Sequence, residues 1–332
     1  MGLVLCLVPL ALLTGPFIPD LFLSIISLLF IIITVRKKIW HFYYNKFFIF
    51  FISFCSYFIF SSLVSENILF SLESSLFYFR FGIFALATWY LLEKDKELIK
   101  KFNIFLIITF SIAIIDGYYQ YFFGNSIFGF ISGSDNRLTL TFNDKMILGG
   151  YLSRLYPLLF ALTIFNFSDN KRIISLLFFL LILIDCLAFL SGERTALALL
   201  LLSTVMILFL TLNFKIFRLF TIAISLIIIG LIANSNTGLK QRNIDYTIKQ
   251  LNLSSNESNM PTFFSPNHQS LGIASINIYK DYKIFGAGPK QFRVLCKDYA
   301  DTGYSQFCST HPHNLYLQLA AETGTVGLLF LV

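Results

Sequence analysis

Nine apolar runs recur along the chain at 19–35, 46–64, 75–92, 102–122, 145–167, 173–190, 194–212, 214–233 and 314–332. Each is near the roughly 20 residues that a bilayer-spanning helix requires. A shorter run, Leu3 to Leu13, makes a tenth. It has no basic flank before it and no small-residue cleavage pattern after it, so it reads as a short first span rather than a signal-peptide core. Backbone in lipid must satisfy its own hydrogen bonds, which leaves helices as the structure open to such runs. A soluble core could not absorb a chain that is 56% hydrophobic and 17% aromatic with 13% charged residues. The expectation is an all-α integral membrane protein, a polytopic bundle of about ten transmembrane helices.

Orientation follows from Lys and Arg in the short loops. Arg36, Lys37, Lys38 and Lys46, then Lys94, Lys96, Lys100 and Lys101, then Lys171 and Arg172, then Lys215 and Arg218 fall in alternate loops and are assigned to the cytoplasm. The loops between them carry Glu66 and Glu73, or the single arginine Arg137. This parity puts the N-terminus in the cytoplasm and one large loop, 234–313, in the periplasm of a bacterial inner membrane. The chain divides into N-terminal transmembrane helices, 1–122, and a membrane domain, 123–332, that includes the loop.

The loop begins with a crowded polar stretch, Asn252 to Asn259, which reads as irregular. From Gln269 to Tyr282, Leu271, Ala274, Ile278 and Tyr282 fall at helical spacing and predict an amphipathic helix, ended by Phe285-Gly286-Ala287-Gly288-Pro289. Gly286-x-Gly288 lacks the strand and helix of a nucleotide site and reads as a turn. Cys6, Cys55 and Cys186 lie in apolar runs as packing residues. Cys296 and Cys308 lie in the loop, where an oxidising periplasm makes them a candidate disulfide.

Charge at membrane depth is costly, so each case is a candidate for function. Arg194 opens a span after Ser191-Gly192-Glu193, and Arg80 lies just inside another. Arg154 falls deep enough in its run to be expected to face the bundle, and Asp185 stands alone near the middle of its own, as either a buried, hydrogen-bonded acid or a proton-coupling one. The loop holds eight basic and five acidic residues. Arginine forks match phosphate oxygens in a bidentate way, so this pattern favours an anionic ligand, most simply a diphosphate at the bilayer surface. His311-Pro312-His313-Asn314 stands where the polar loop enters the last apolar run, and His313 is suited to accept a proton near neutral pH. No Asp-x-Asp or His-rich ligand spacing occurs, so no metal and no cofactor is expected.

Four segments resemble the membrane O-antigen ligases and O-antigen polymerases. They are His311-Pro-His313-Asn314-Leu-Tyr316-Leu-Gln318 with Glu322-Thr-Gly324 and Gly327; Ser191-Gly-Glu-Arg194-Thr-Ala; Phe285-Gly-Ala-Gly288-Pro with Phe292; and Arg137-Leu-Thr-Leu-Thr-Phe142. The first is the most specific, and together they cover about 116–330 in the family's order. The resemblance implies a metal-independent glycosyltransferase that passes a glycan from undecaprenyl diphosphate to an acceptor hydroxyl at the periplasmic face. The acceptor would be a growing glycan or lipid A-core, in surface polysaccharide and lipopolysaccharide biosynthesis. Membrane lipids would be its surroundings, and nucleic acid no partner.

Carried over by position, His313 is the catalytic histidine and Arg194 and Arg137 hold the diphosphate. Asn314, Glu322 and His311 support the histidine or line the acceptor side. Family members continue through one or two further spans after this helix, so the family fold is expected here without its C-terminal helices. Acceptor choice rests on variable loops, so ligase, polymerase and protein O-glycosyltransferase all remain open. The alternative class is a transporter or flippase of lipid-linked oligosaccharide or polysaccharide. Such proteins usually carry internal repeats and matching broken spans, and the sequence shows neither.

Overall fold

The computed structural model describes residues 1–131, 133, 137–142, 145–211, 214–250, 266–300 and 307–331. The polar cluster from Asn252 to Asn259 therefore lies outside the described residues. The rest is helical: α1 (Gly2–Leu13), α2 (Phe17–Lys37), α3 (Lys46–Leu63), α4 (Ile68–Ser75), α5 (Arg80–Lys94), α6 (Leu98–Phe123), α7 (Leu148–Phe167) and α8 (Lys171–Leu190). Then come α9 (Arg194–Leu210), α10 (Lys215–Ser235), α11 (Thr237–Lys240), α12 (Tyr246–Gln250), α13 (Pro266–Asp281), α14 (Phe292–Tyr299) and α15 (Leu315–Leu329).

Among the described residues, seven stretches are long and apolar enough to cross a membrane: α2, α3, the continuous Ile68–Lys94, α6, α7, α8 and α10. This is an α-helical, multi-pass membrane protein. Two more helices, α1 and α9, are apolar but shorter, at 12 and 17 residues. The run at 314–332 gives α15, 15 residues long and broken at Gly324, where φ is 65° and ψ −164°. Apolar run length thus overstates helix length here, because ends are set by local caps and turns. Asn45 accepts from the Phe48 N–H at 2.8 Å to begin α3, and Asn170 accepts from Arg172 and Ile173 to begin α8. Gly124, in the left-handed conformation, ends α6.

The chain forms two compact units. Among the described residues the first comprises Met1–Phe22 and Leu91–Lys249. Its core is an interleaved stripe from α6, α7 and α8, including Phe110, Leu152, Tyr156, Leu159, Leu181 and Leu187, each fully buried. The same stripe explains a correction. Arg154 was expected to face the bundle, but Tyr151, Leu152, Tyr156, Leu159 and Phe160 take the buried face of α7 and leave Arg154 exposed.

A second correction concerns Arg218, the partner of Asp185. Arg218 is not a loop charge: it lies one turn into α10 and is 1% exposed. Its Nη1 and Nη2 donate to the two Asp185 carboxylate oxygens at 2.8 and 3.1 Å. Thr204 of α9 accepts from Nη2 at 2.7 Å, and Ser225 donates to Asp185 at 3.0 Å. The Arg218 guanidinium also sits 5.3 Å from the centre of the Tyr156 ring. Neither charge stands alone, which is how an apolar bundle can hold both.

The second unit comprises Leu23–Tyr90 with the described part of Gln250–Asn252 and Asn256–Val332. The helix expected from spacing is α13, whose Leu271, Ala274 and Ile278 are fully buried against Phe292 and Cys296 of α14 and Ala321 of α15. Hydroxyls on α3 and α4 hold the segment around 285–291. Ser61 donates to the Phe285 carbonyl at 2.9 Å, Ser71 to the Pro289 carbonyl at 2.7 Å, and Tyr57 to the Thr323 carbonyl.

Candidate functional site

In the first unit, four arginines collect around the turn between α8 and α9. The turn is made by Ser191, Gly192 and Glu193, with Gly192 at φ 68°. Arg137 donates from Nε to the Ser191 carbonyl at 3.2 Å, and Arg242 from Nε to the Gly192 carbonyl at 2.9 Å. Arg194 is the first residue of α9 and is half-buried. Arg137 and Arg154 both lower the energy of the Glu193 carboxylate through their charge.

Glu193 takes the opposite part. Its carboxylate accepts from the backbone N–H groups of Gly149 and Gly150 at 2.7 and 3.0 Å, closing the N-terminus of α7. Burial raises its pKa above the usual carboxylate value, while those two N–H groups and the arginine charges pull it back. Among the described residues the turn therefore has a carboxylate already engaged with a helix end and several guanidiniums around it. Guanidinium groups gathered in this way suit an oxyanion.

Two glutamine bonds explain how Arg137 reaches the turn. Gln120, buried on α6, accepts through Oε1 from the Thr139 and Leu140 N–H groups, both at 2.9 Å. This fixes the segment just after Arg137 to α6. The Arg137 motif is thus anchored from within the bundle.

In the second unit the histidine motif is held by its neighbours in sequence. Asn314 caps α15 by accepting from the Leu317 N–H at 3.1 Å. His313, the residue before it, is held at φ 57°, a left-handed conformation more open to histidine than to most side chains. The His313 ring centroid lies 4.3 Å from that of His311 and 5.5 Å from that of His268 on α13. Partial burial first, then the charges of His313 and Arg293, keep the His311 pKa below the ordinary histidine value. Among the described residues no set of three or more His, Cys, Asp and Glu is arranged to hold a metal ion.

Glu322 serves the backbone rather than the histidines. One carboxylate oxygen accepts from the Phe292 N–H at 3.3 Å at the start of α14, the other from Gln318 at 3.1 Å. It is 3% exposed, and burial raises its pKa to about 7 against the pull of those donors. The segments 283–288 and 321–326 lie backbone to backbone. Ala287 donates to the Ala321 carbonyl and Gly288 to the Glu322 carbonyl, both at 2.9 Å, and Thr325 to the Lys283 carbonyl at 2.8 Å. A Cβ at Gly286 would stand 2.3 Å from the Glu322 carbonyl carbon, and one at Gly324 2.3 Å from the Ile284 oxygen. The glycine motif read as a turn does turn the chain, with Gln291 donating to the Gly288 carbonyl at 3.1 Å, and it also forms half of this tight pairing. Nearby, Cys296 and Cys308 are joined by a disulfide, their Cα atoms 5.9 Å apart.

Residues 176–332 match the family model described as O-Antigen ligase. Over those residues, just under half of the chain, the protein is similar to the O-antigen ligase family. No curated protein and no solved structure matches it. The O-antigen ligase match spans Arg194, Arg242, His268, Arg293, His311, His313 and Glu322, while Arg137 precedes it. Sequence reasoning counted Arg242 only as one loop cation among several, and it passed over His268. Arg242 comes to the turn across 50 positions and His268 to His313 across a helix, and neither stands in a local pattern that marks it.

Proposed function

We propose that this protein transfers a glycan from undecaprenyl diphosphate to an acceptor hydroxyl at the periplasmic face of the bacterial inner membrane. The gathering of Arg137, Arg194 and Arg242 on the turn from Ser191 to Glu193 carries the reading. In this reading the arginines receive the diphosphate and His313 receives the acceptor proton. The acceptor oxygen forms a bond to the anomeric carbon as the bond from that carbon to the phosphate oxygen breaks. The electron pair leaves with the diphosphate, and the hydroxyl proton passes to the imidazole. His311, with a lowered pKa, and Asn314, which fixes the start of α15, support His313. Glu322 supports it at one remove, by holding α14 against α15.

The test is transfer by purified protein from an undecaprenyl-diphosphate glycan to candidate acceptors. His313→Ala should abolish transfer and keep donor binding, Arg194→Ala should weaken both, and EDTA should change neither. Near-normal transfer by His313→Ala would remove the base assignment. Movement of lipid-linked glycan across vesicles with no transfer would favour the transporter.

A further inference from the structure

Positive charge and apolar surface meet at a place the transferase reading leaves unused. Between Leu23 and Ser65 the chain has no acidic residue, while Arg36, Lys37, Lys38 and Lys46 are all exposed around the connection from α2 to α3. Lys46 stands at one end of a groove of about 630 Å³ walled by Phe47, Phe51, Phe81, Ala85 and Trp89. Its floor is the crossing of α3 and α5, where a Cβ on Gly82 would come within 2.6 Å of the Phe51 ring. Trp40 and Tyr44, 47% and 80% exposed, flank the same connection, as aromatic residues do at a membrane interface.

We propose that this groove holds an acyl chain of an anionic phospholipid, with its phosphate on Lys46 and the neighbouring Lys37 and Lys38. An apolar wall ending in exposed cations matches a molecule with an apolar tail and an anionic head. The diphosphate donor fits this place poorly. Ser61, which binds the Phe285 carbonyl beside α15, is 15 residues further along α3 from Lys46, or about 22 Å along the helix axis. A second copy fits no better, since a two-fold contact here would set the same four cations against each other. The proposal does not depend on the transferase reading.

The protein's two tryptophans, Trp40 and Trp89, both lie at this place, so they report on it directly. The full chain carrying Trp40→Phe leaves Trp89 as the sole reporter, in phosphatidylcholine nanodiscs doped with acyl-brominated phosphatidylglycerol or acyl-brominated phosphatidylcholine. Brominated phosphatidylglycerol should quench Trp89 at about a fivefold lower mole fraction. The preference should vanish in Lys37→Gln/Lys38→Gln/Lys46→Gln, whose changes are all on the surface, and shrink in high salt. Ala85→Phe, which fills the groove, should reduce quenching by both lipids. Equal quenching by the two lipids would mean ordinary boundary lipid, and no quenching by either would mean a protein-covered groove; each overturns the proposal.

Discussion

Arg242 and Gly192 are joined by a 2.9 Å hydrogen bond from the guanidinium to the carbonyl, although 50 positions separate them. The bond uses Nε and leaves the two terminal nitrogens to other partners. In the proposed reaction Arg242 therefore works beside Arg194 and Arg137. Arg242→Ala should raise KM for the lipid-diphosphate donor roughly tenfold or more, the loss expected of a charge-assisted hydrogen bond. Arg242→Lys should recover only part, because lysine lacks the fork. Transfer rates measured against donor concentration check this, and a fall in kcat with KM unchanged would make Arg242 a brace for the turn alone.

Glu322 should make stability depend on pH. Its carboxyl has a pKa of about 7 in the folded protein against an ordinary value of 4.5. The folded state therefore holds a proton that the unfolded state has already lost. Its contribution is full below about pH 4.5 and is lost as pH rises through about 7, by at most about 3 kcal/mol. Glu322→Gln should flatten the dependence of unfolding on pH between 4.5 and 7, measured as the SDS-unfolding midpoint in detergent. An unchanged slope would assign that dependence to another group.

Asp185 and Arg218 should be costly to separate and cheap to replace together. Asp185→Leu or Arg218→Met alone leaves a buried charge without its partner, at about 3–5 kcal/mol. The double variant should regain most of that loss. A thermal-unfolding cycle over the four proteins measures the coupling, and additive losses would show that the two side chains act separately.

Cys296 and Cys308 are bonded, so neither should react with an alkylating reagent in freshly purified protein until a reductant is added. Closing a loop of this size should contribute about 3 kcal/mol to the stability of the loop helices. Mass analysis after alkylation with and without reductant decides it.

Local signals carried a good part of the structure. Asn45, Asn170 and Asn314 each cap a helix through a side-chain oxygen, close to where three of the apolar runs begin. The spacing of Leu271, Ala274 and Ile278 gave α13 because a buried helical face imprints its period on the sequence. What stayed hidden depends on distant partners. Asp185 looked solitary because Arg218 lies 33 positions away, and Arg218 passed for a loop charge because positive-inside counting registers where a charge falls and not which way it turns. Arg154 was misjudged for the related reason that depth along a helix does not say which face a residue occupies. Glu322 was legible as an acid in a motif, but its use in fixing the start of α14 required the backbone of Phe292, 30 positions upstream.

The hydroxyl seam of the second unit has a further consequence for how the protein is made. Ser61 and Tyr57 are built into α3 early, yet the carbonyls they bind belong to Phe285 and Thr323, 224 and 266 positions later. At synthesis rates of about 5–20 residues per second, Tyr57 waits roughly ten to fifty seconds for its partner to leave the ribosome. Through that interval α3 sits in or near the bilayer with its polar edge unmatched. The seam can therefore close only after α15 has been made, so α3 takes its final place late in synthesis.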